Sequence, residues 1–310
     1  MAQEPRILLL GAGGQVGREL QASFAGFGEL TAADRKSADL AVPEQLRELV
    51  RRVRPLVILN AAAYTAVDRA EFEADLAMKI NAHAPAVLAE EALRCNALLV
   101  HYSTDYVFDG TKDGPWVETD TPNPVNQYGA SKLAAERAIA ESGARHLIFR
   151  TSWVYGPHGR NFLLTMLRVA HERDKIAVVD DQFGAPTTSI EIAAATRRVV
   201  ESVIEGRVRK ARDWGVYHMT CADSTTWFGF ARAIFARAGG LLRGRHPELA
   251  PITSAEYPTP ARRPCNSVLS NEKLQARFGV RLASWESALD AVMDTLRSEA
   301  GEARAEQNTF

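Results

Sequence analysis

Cysteine is scarce in this chain: Cys95, Cys221 and Cys265 are the only three in 310 residues, and they stand far apart. That spacing excludes a disulfide framework and a cysteine-based zinc site. An excess of either charge is missing as well, since 37 Lys+Arg against 38 Asp+Glu leave a formal net charge of −1. There is accordingly no basic footprint for nucleic acid and no polybasic anchor for a membrane. Long apolar runs are also wanting. The opening "MAQEPRILLLGAGG" holds one too short for a signal peptide or a membrane span. The expectation is a cytoplasmic protein with no nucleic-acid or membrane partner. No internal repeat stands out, and no His/Asp/Glu cluster has metal-ligand spacing.

What is present is ordinary for a globular protein: 46% hydrophobic and 24% charged residues. A chain of this length buries a good core, as one large domain or two small ones. "RILLL" (6–10) is a continuous apolar run, as expected of a parallel strand buried on both faces. Val16, Leu20 and Phe24 then recur at helical spacing, and "ELTAAD" (29–34) is a weaker strand. Leu46, Leu49, Val50 and Val53 mark a helix with one buried face, and "LVILN" (56–60) the next strand. The stretch 74–95 predicts one long helix, bent near Pro85. "ALLVHYST" and "HLIFRTSW" are further strands. This order predicts an α/β fold with a doubly wound, Rossmann-type parallel sheet covered by helices on both sides. After Trp153, Pro- and Gly-rich turns interrupt the alternation, which points to a smaller C-terminal α/β lobe interleaved with the first. A closing helix carries Trp285, Leu289, Val292 and Leu296 in step, and the polar residues 301–310 form a frayed tail.

The first chemical motif is "GAGGQVG", in which Gly11, Gly14 and Gly17 form G-x-x-G-x-x-G between a strand and a helix. Glycines let backbone approach a pyrophosphate, and a helix N-terminus offers free N–H groups and partial positive charge. A glycine turn without ligand is the bland alternative, but the position straight after the first strand favours a dinucleotide. The expected boundaries are therefore residues 1–152 for an NAD(P)-binding domain, which takes back part of 185–225, and residues 153–300 for a substrate lobe. In "AADRK", Asp34 sits where an acid takes the adenosine ribose hydroxyls, and Arg35 next to it suits a 2′-phosphate. The two leave NADH and NADPH open.

The second motif is "NQYGASKLAAERA" (126–138). Tyr128 and Lys132 lie four residues apart, on one helix face and within reach of a common ligand. The spacing alone is weak evidence. "HYSTDYVF" strengthens it, because ligands of such sheets collect at the carboxyl ends of strands and Ser103 and Thr104 end this one. An ammonium beside a phenol stabilises phenolate, as a general acid–base requires.

Together with "NAAAYTAVDRAE", "STDYVFDG", "FRTSWVYG", "DQFGAPT" and "TPARRPCNS", these motifs resemble the extended short-chain dehydrogenase/reductases, and within them the dTDP-4-dehydrorhamnose reductase family. The match runs in consistent order from about residue 6 to about 297. Related sugar-nucleotide 4,6-dehydratases carry an acid after Thr-Asp, where this chain has Tyr106. The resemblance implies reduction by NADPH or NADH, with NADPH favoured, of the C4 ketone of a dTDP-4-keto-6-deoxy sugar, a small-molecule partner.

Role by role, it implies that Gly11, Gly14, Gln15, Val16 and Gly17 hold the pyrophosphate, Asp34 and Arg35 the ribose, and Asp39 and Leu40 the adenine. Ala62, Ala63 and Tyr64 line the cofactor cleft, with Tyr102. Tyr128 protonates the sugar O4, Lys132 holds the nicotinamide ribose and lowers the tyrosine pKa, and Thr104 polarises the ketone. Asp105 and Trp153 meet the sugar, while Asn161, Gln182, Arg263 and Ser267 hold the nucleotide diphosphate. Some relatives place Mg²⁺ at a subunit contact, which would fall near Glu19 and Glu191 in a homodimer. Ordinary helix-surface acids are the stronger reading of that pair. His101 and His218 read as satisfied core histidines. A non-catalytic regulatory subunit of the same fold, like the methionine adenosyltransferase β subunit, is the alternative, and so is a reductase or epimerase of another nucleotide sugar. Thr104, Tyr128 and Lys132 tell against the regulatory reading, since a binding module needs no tuned acid.

Overall fold

Five strands begin the main sheet: β1 (Arg6–Leu10), β2 (Glu29–Ala33), β3 (Val57–Asn60), β4 (Leu98–Thr104) and β5 (Arg145–Thr151). The computed structural model describes residues 4–207, 210, 213–242, 244, 245 and 247–307. The strand Gly215–His218 joins β5 at one edge, and the order runs from it through β5, β4, β3 and β1 to β2, every pair parallel. Alternate residues of β1 go to opposite faces. Ile7 and Leu9 pack with Leu20, Phe24 and Val199, whereas Leu8 and Leu10 pack with Leu46, Leu88 and Ile139. Helices Gln15–Ser23 and Ser189–Ile204 thus cover one face, and Pro43–Val53, Ala84–Cys95 and Gln127–Glu141 the other. The sheet is doubly wound.

The order in which successive strands are laid down reverses between β1 and β3, which is the switch point where such sheets bind ligands. Gly11 makes the turn there with φ 79°, and a Cβ on it would lie 2.6 Å from the Ala62 nitrogen. Only glycine fits so close a passage of two backbones.

The smaller lobe pairs Lys175–Val179 with Glu248–Ile252, Phe183–Gly184 with Thr225–Thr226, and Val154–Tyr155 with Thr187–Thr188. Between its segments, helix Ser189–Ile204 and strand Gly215–His218 return to the main sheet, so the two units interleave. Among the described residues no helix is long and apolar enough to cross a membrane.

One element differs from the sequence expectation. The helix over 74–95 is three pieces: Ala74–Met78, a π-helical turn Lys79–His83, and Ala84–Cys95. Pro85 has no N–H to give and its ring crowds the carbonyl four residues back, and the wider turn accommodates that. The last helix runs from Trp285 to Gln307, and of the tail 301–310 expected to fray the last three residues lie outside those described.

Candidate active site

The site is built along the carboxyl edge of the sheet. After β1, the turn at Gly11–Gly14 leads into helix Gln15–Ser23. Gly14 has no side chain to cap with, so the first-turn amides stay open to an anion. A Cβ on Gly13 would meet nothing within 4 Å, while one on Gly17 would stand 2.0 Å from the Gly11 carbonyl oxygen. The first glycine leaves the turn open outward and the second holds the helix against it. These residues fit a dinucleotide pyrophosphate. Val16 is partly buried against the core of this face.

After β2, Asp34 Oδ1 accepts from the Lys36 and Ser37 amides at 3.0 Å each and from Ser37 Oγ at 2.8 Å. The Ser37 hydroxyl, then the loop amides, hold its carboxyl below the usual range. Arg35 is 81% exposed and meets Asp39 at 3.5 Å, while Leu40 is buried.

After β3, Ala62 and Ala63 lead to Tyr64, whose amide donates to Asn81 Oδ1 at 2.8 Å and whose hydroxyl donates to Glu73 at 2.6 Å. Asn81 comes from the π turn and also bonds the Tyr64 carbonyl and Ser131 Oγ. It ties the wall of the cleft to the helix that carries Tyr128 and Lys132. Only the "NA" after a lysine-isoleucine pair stood at this position in the sequence, with no periodicity to single it out.

That helix, Gln127–Glu141, starts on Asn126, whose side chain caps the Gly129 amide at 2.8 Å. A Cβ on Gly129 would lie 2.1 Å from the Tyr106 carbonyl oxygen, so the helix start presses on the turn Asp105–Val107 that ends β4. Tyr128 therefore meets Tyr106 edge to face at 6.0 Å and lies within bonding reach of the Thr104 hydroxyl. Thr104 Oγ1 donates to Asp105 Oδ1 at 2.9 Å. Asp105 is 3% exposed, and its Oδ2 is without a partner. Burial pushes its carboxyl up to about 7, with the Ser267 and Thr104 hydroxyls pulling back.

The electrostatics at Tyr128 differ from the sequence expectation. Burial first, and then the Asp105 charge, push the phenol above its ordinary 10, and only the Thr104 hydroxyl pulls it down. The depression expected from Lys132 is not what the structure shows. Lys132 Nζ is turned to His101 Nε2 at 3.2 Å, and burial brings the ammonium down to about 8 against the pull of Glu136. One helical turn on, Glu136 is fully engaged by Arg150 Nε and Nη2 at 2.9 and 2.6 Å and by Ser103 Oγ at 2.5 Å. His101 is a satisfied buried histidine, as read, yet it touches the lysine of the site.

The remaining candidates spread around this centre. Tyr102 lies on the other face of β4, buried, with its hydroxyl on Thr196 at 2.8 Å. Trp153 follows β5 with φ 47° and stacks on Trp227 at 3.6 Å; a Cβ on Gly184 would strike its ring at 2.5 Å. Left-handed backbone at a tryptophan is strain that its surroundings must hold. Asn161 caps helix Phe162–Glu172 and donates to Gln15 Oε1 at 2.8 Å, which places it at the glycine turn. Gln182 is buried and donates to Ser254 Oγ at 2.9 Å. Arg263 reaches across from the smaller lobe to Asp68 Oδ2 at 2.9 Å, with Tyr106 beside it. Glu19 and Glu191 sit on two packed helices, and Glu191 accepts the Ala283 amide at 3.0 Å. Among the described residues no group of three His, Cys, Asp or Glu side chains comes together to hold a metal.

Comparison with known proteins agrees with this geometry. The family model described as RmlD substrate binding domain matches residues 5–298. A dTDP-4-dehydrorhamnose reductase of Burkholderia thailandensis is 49% identical, covering 95% of this chain and 100% of that protein. One of Escherichia coli K12 is 45% identical, covering 94% and 97%. A crystal structure of the Bacillus anthracis dTDP-4-dehydrorhamnose reductase in complex with NADP superposes with a TM-score of 0.85 at 34% identity, covering 94% of this chain and 100% of that one. A glycine turn at a sheet reversal and a Tyr128–Lys132 face against the end of β4 are set in a chain matched over nearly its whole length, and this chain belongs to the dTDP-4-dehydrorhamnose reductase family.

Proposed function

We propose that the chain reduces the C4 ketone of dTDP-4-dehydro-β-L-rhamnose with NAD(P)H to give dTDP-L-rhamnose. The observation that carries this reading is the packing of the Tyr128–Lys132 helix face against Thr104 and Asp105 at the carboxyl edge. A bound nicotinamide cofactor supplies the hydride that adds to C4. The chain's own residues manage the proton. Tyr128, kept protonated by its buried surroundings, gives its phenolic proton to O4. Thr104, whose hydroxyl proton rests on Asp105 Oδ1 while no sugar is bound, turns it to the ketone oxygen and polarises it. Lys132 holds the nicotinamide ribose.

Asp105 binds a sugar hydroxyl, and its unpartnered Oδ2 is the acceptor that such a hydroxyl would satisfy. Trp153, fixed on Trp227, covers the sugar. Arg263 serves the diphosphate, and Asp68 holds its guanidinium in place until then. Gln182 and Asn161 support the same lobe. Arg35, exposed and loosely paired, favours NADPH. The test is purified protein with NADPH or NADH and a panel of nucleotide 4-keto sugars, followed at the nicotinamide absorbance. Oxidation with the dTDP-4-keto-6-deoxy sugar is expected. Cofactor binding without turnover on any sugar would favour a regulatory subunit instead.

A further inference from the structure

Asn60 ends β3, and His101 stands beside it on β4 in register. Asn60 Oδ1 accepts the Ala62 amide at 3.3 Å, which orients the side chain and turns Nδ2 to His101 Nδ1 at 3.1 Å. An amide NH₂ only donates, so Nδ1 must be the bare, accepting nitrogen. Burial, and then Lys132, hold the imidazole well below its usual range, so it is neutral and its proton sits on Nε2. That N–H faces Lys132 Nζ at 3.2 Å. An ammonium has three donors and no acceptor. Only the amine form of Lys132 can accept from His101.

We propose that Asn60 and His101 form a positioning pair that opposes the ammonium form of Lys132, so that at alkaline pH the lysine takes up a proton from solvent as the cofactor's ribose hydroxyls arrive. The proposal rests on the reading that Lys132 meets that ribose. Other groups around the pair do not undo it. Glu136 on the same helix favours the ammonium, but its carboxylate is occupied by Arg150 of β5 and Ser103 of β4. From the π turn, Asn81 is spent on Tyr64 and Ser131, and Lys79 and His83 are exposed. Tyr128, one turn before, is held protonated. The lysine, brought down to about 8, titrates where ordinary buffers reach.

The experiment is NADPH affinity across about pH 6 to 10, read by fluorescence without any sugar, so failure of sugar reduction would leave it untouched. Affinity of the unaltered protein should fall about tenfold per pH unit above the lysine's value, the slope of one proton taken up. Asn60→Asp accepts from both Ala62 N–H and a proton on Nδ1, which turns the imidazole round and offers Nε2 as acceptor to the ammonium. Its alkaline fall should begin at least one unit later. His101→Gln can put its oxygen to Asn60 and its NH₂ to Lys132, which keeps the polarity, and its fall should begin where that of the unaltered protein does. An Asn60→Asp profile that coincides with the unaltered one, or a His101→Gln profile that shifts with it, overturns the pair. Should Asn60→Asp not fold, calorimetry of NADPH binding at about pH 8.5 in two buffers of different ionisation heat decides. Uptake approaching one proton is expected, and none overturns the proposal.

Discussion

The inner and outer ends of the carboxyl edge are built on opposite terms. Inside, Thr104, Asp105 and Lys132 are buried, and Asp105 and Lys132 are held against their preferred ionisation, one pushed up to about 7 and the other down to about 8. Outside, Asp34 and Arg35 stand in solvent and bond mainly within their own loop. Burial lets a small charge or a single N–H decide a proton's position, because little water screens it. Exposed pairs contribute little in themselves and serve by being free to turn to a ligand. Glu136 and Arg150 show that burial alone is not the device: that pair is well matched by two hydrogen bonds, one turn from a lysine that has only a neutral imidazole.

The sharpest way to break this contrast is at Tyr128. Tyr128→Phe removes the proton donor and leaves the ring against Tyr106. Turnover should fall by about two to four orders of magnitude with NADPH affinity unchanged, as steady-state rates and a cofactor titration would show. Near-normal turnover would take the acid role away from the inner end.

Stability separates matched from unmatched burial. Glu136→Ala leaves Arg150 buried without its carboxylate and should destabilise the protein by about 3–5 kcal/mol, measured by denaturant unfolding. Asp105→Asn should do the reverse. The carboxyl's folded value of about 7 lies above its ordinary 3.8, so the native state favours the protonated form. Its contribution is fully present at low pH and is lost as pH rises between those values. Asp105→Asn should therefore gain stability relative to the unaltered protein between about pH 4 and pH 8, up to about 4 kcal/mol. A gain that does not change with pH would mean that Asp105 stays ionised in the fold.

Sequence made the frame and the local motifs at both ends legible. The glycine turn, the acid after β2, the hydroxyls that end β4 and the Tyr128–Lys132 face are all local patterns, and each sits at the strand end or helix start where the sequence put it. The inner network was not legible. Asn60 is one polar residue at the end of an apolar run, His101 reads as core, and Asn81 hides in a helix whose π turn no spacing announces. Glu136 and Arg150 are 14 residues apart and join only because β5 lies beside the helix. These contacts are set by tertiary packing, so the sign of the field at Tyr128 could not be read from Lys132 alone.

The smallest effect is expected at the outer end, where Arg35 and Asp34 pull cofactor choice in opposite directions. A 2′-phosphate suits the planar donor fork of Arg35 and repels the Asp34 carboxylate, which in turn suits an unphosphorylated ribose. Arg35 is 81% exposed, and its pairing to Asp39 at 3.5 Å is weak competition for a phosphate. Asp34 Oδ1 is already committed to three donors of its loop, which leaves it less free to serve NADH. Arg35→Ala should weaken NADPH by roughly 1.5–3 kcal/mol, the scale of a hydrogen bond to a charged group, and leave NADH nearly unchanged. Asp34→Ala should weaken NADH and spare NADPH. Paired cofactor titrations at fixed ionic strength measure both, and raising the salt should shrink the Arg35 effect, since an exposed contact is screened. Equal changes in the two affinities would remove these residues from the adenosine ribose, and a salt-independent Arg35 effect would mean that the outer end closes over its ligand as the inner end does.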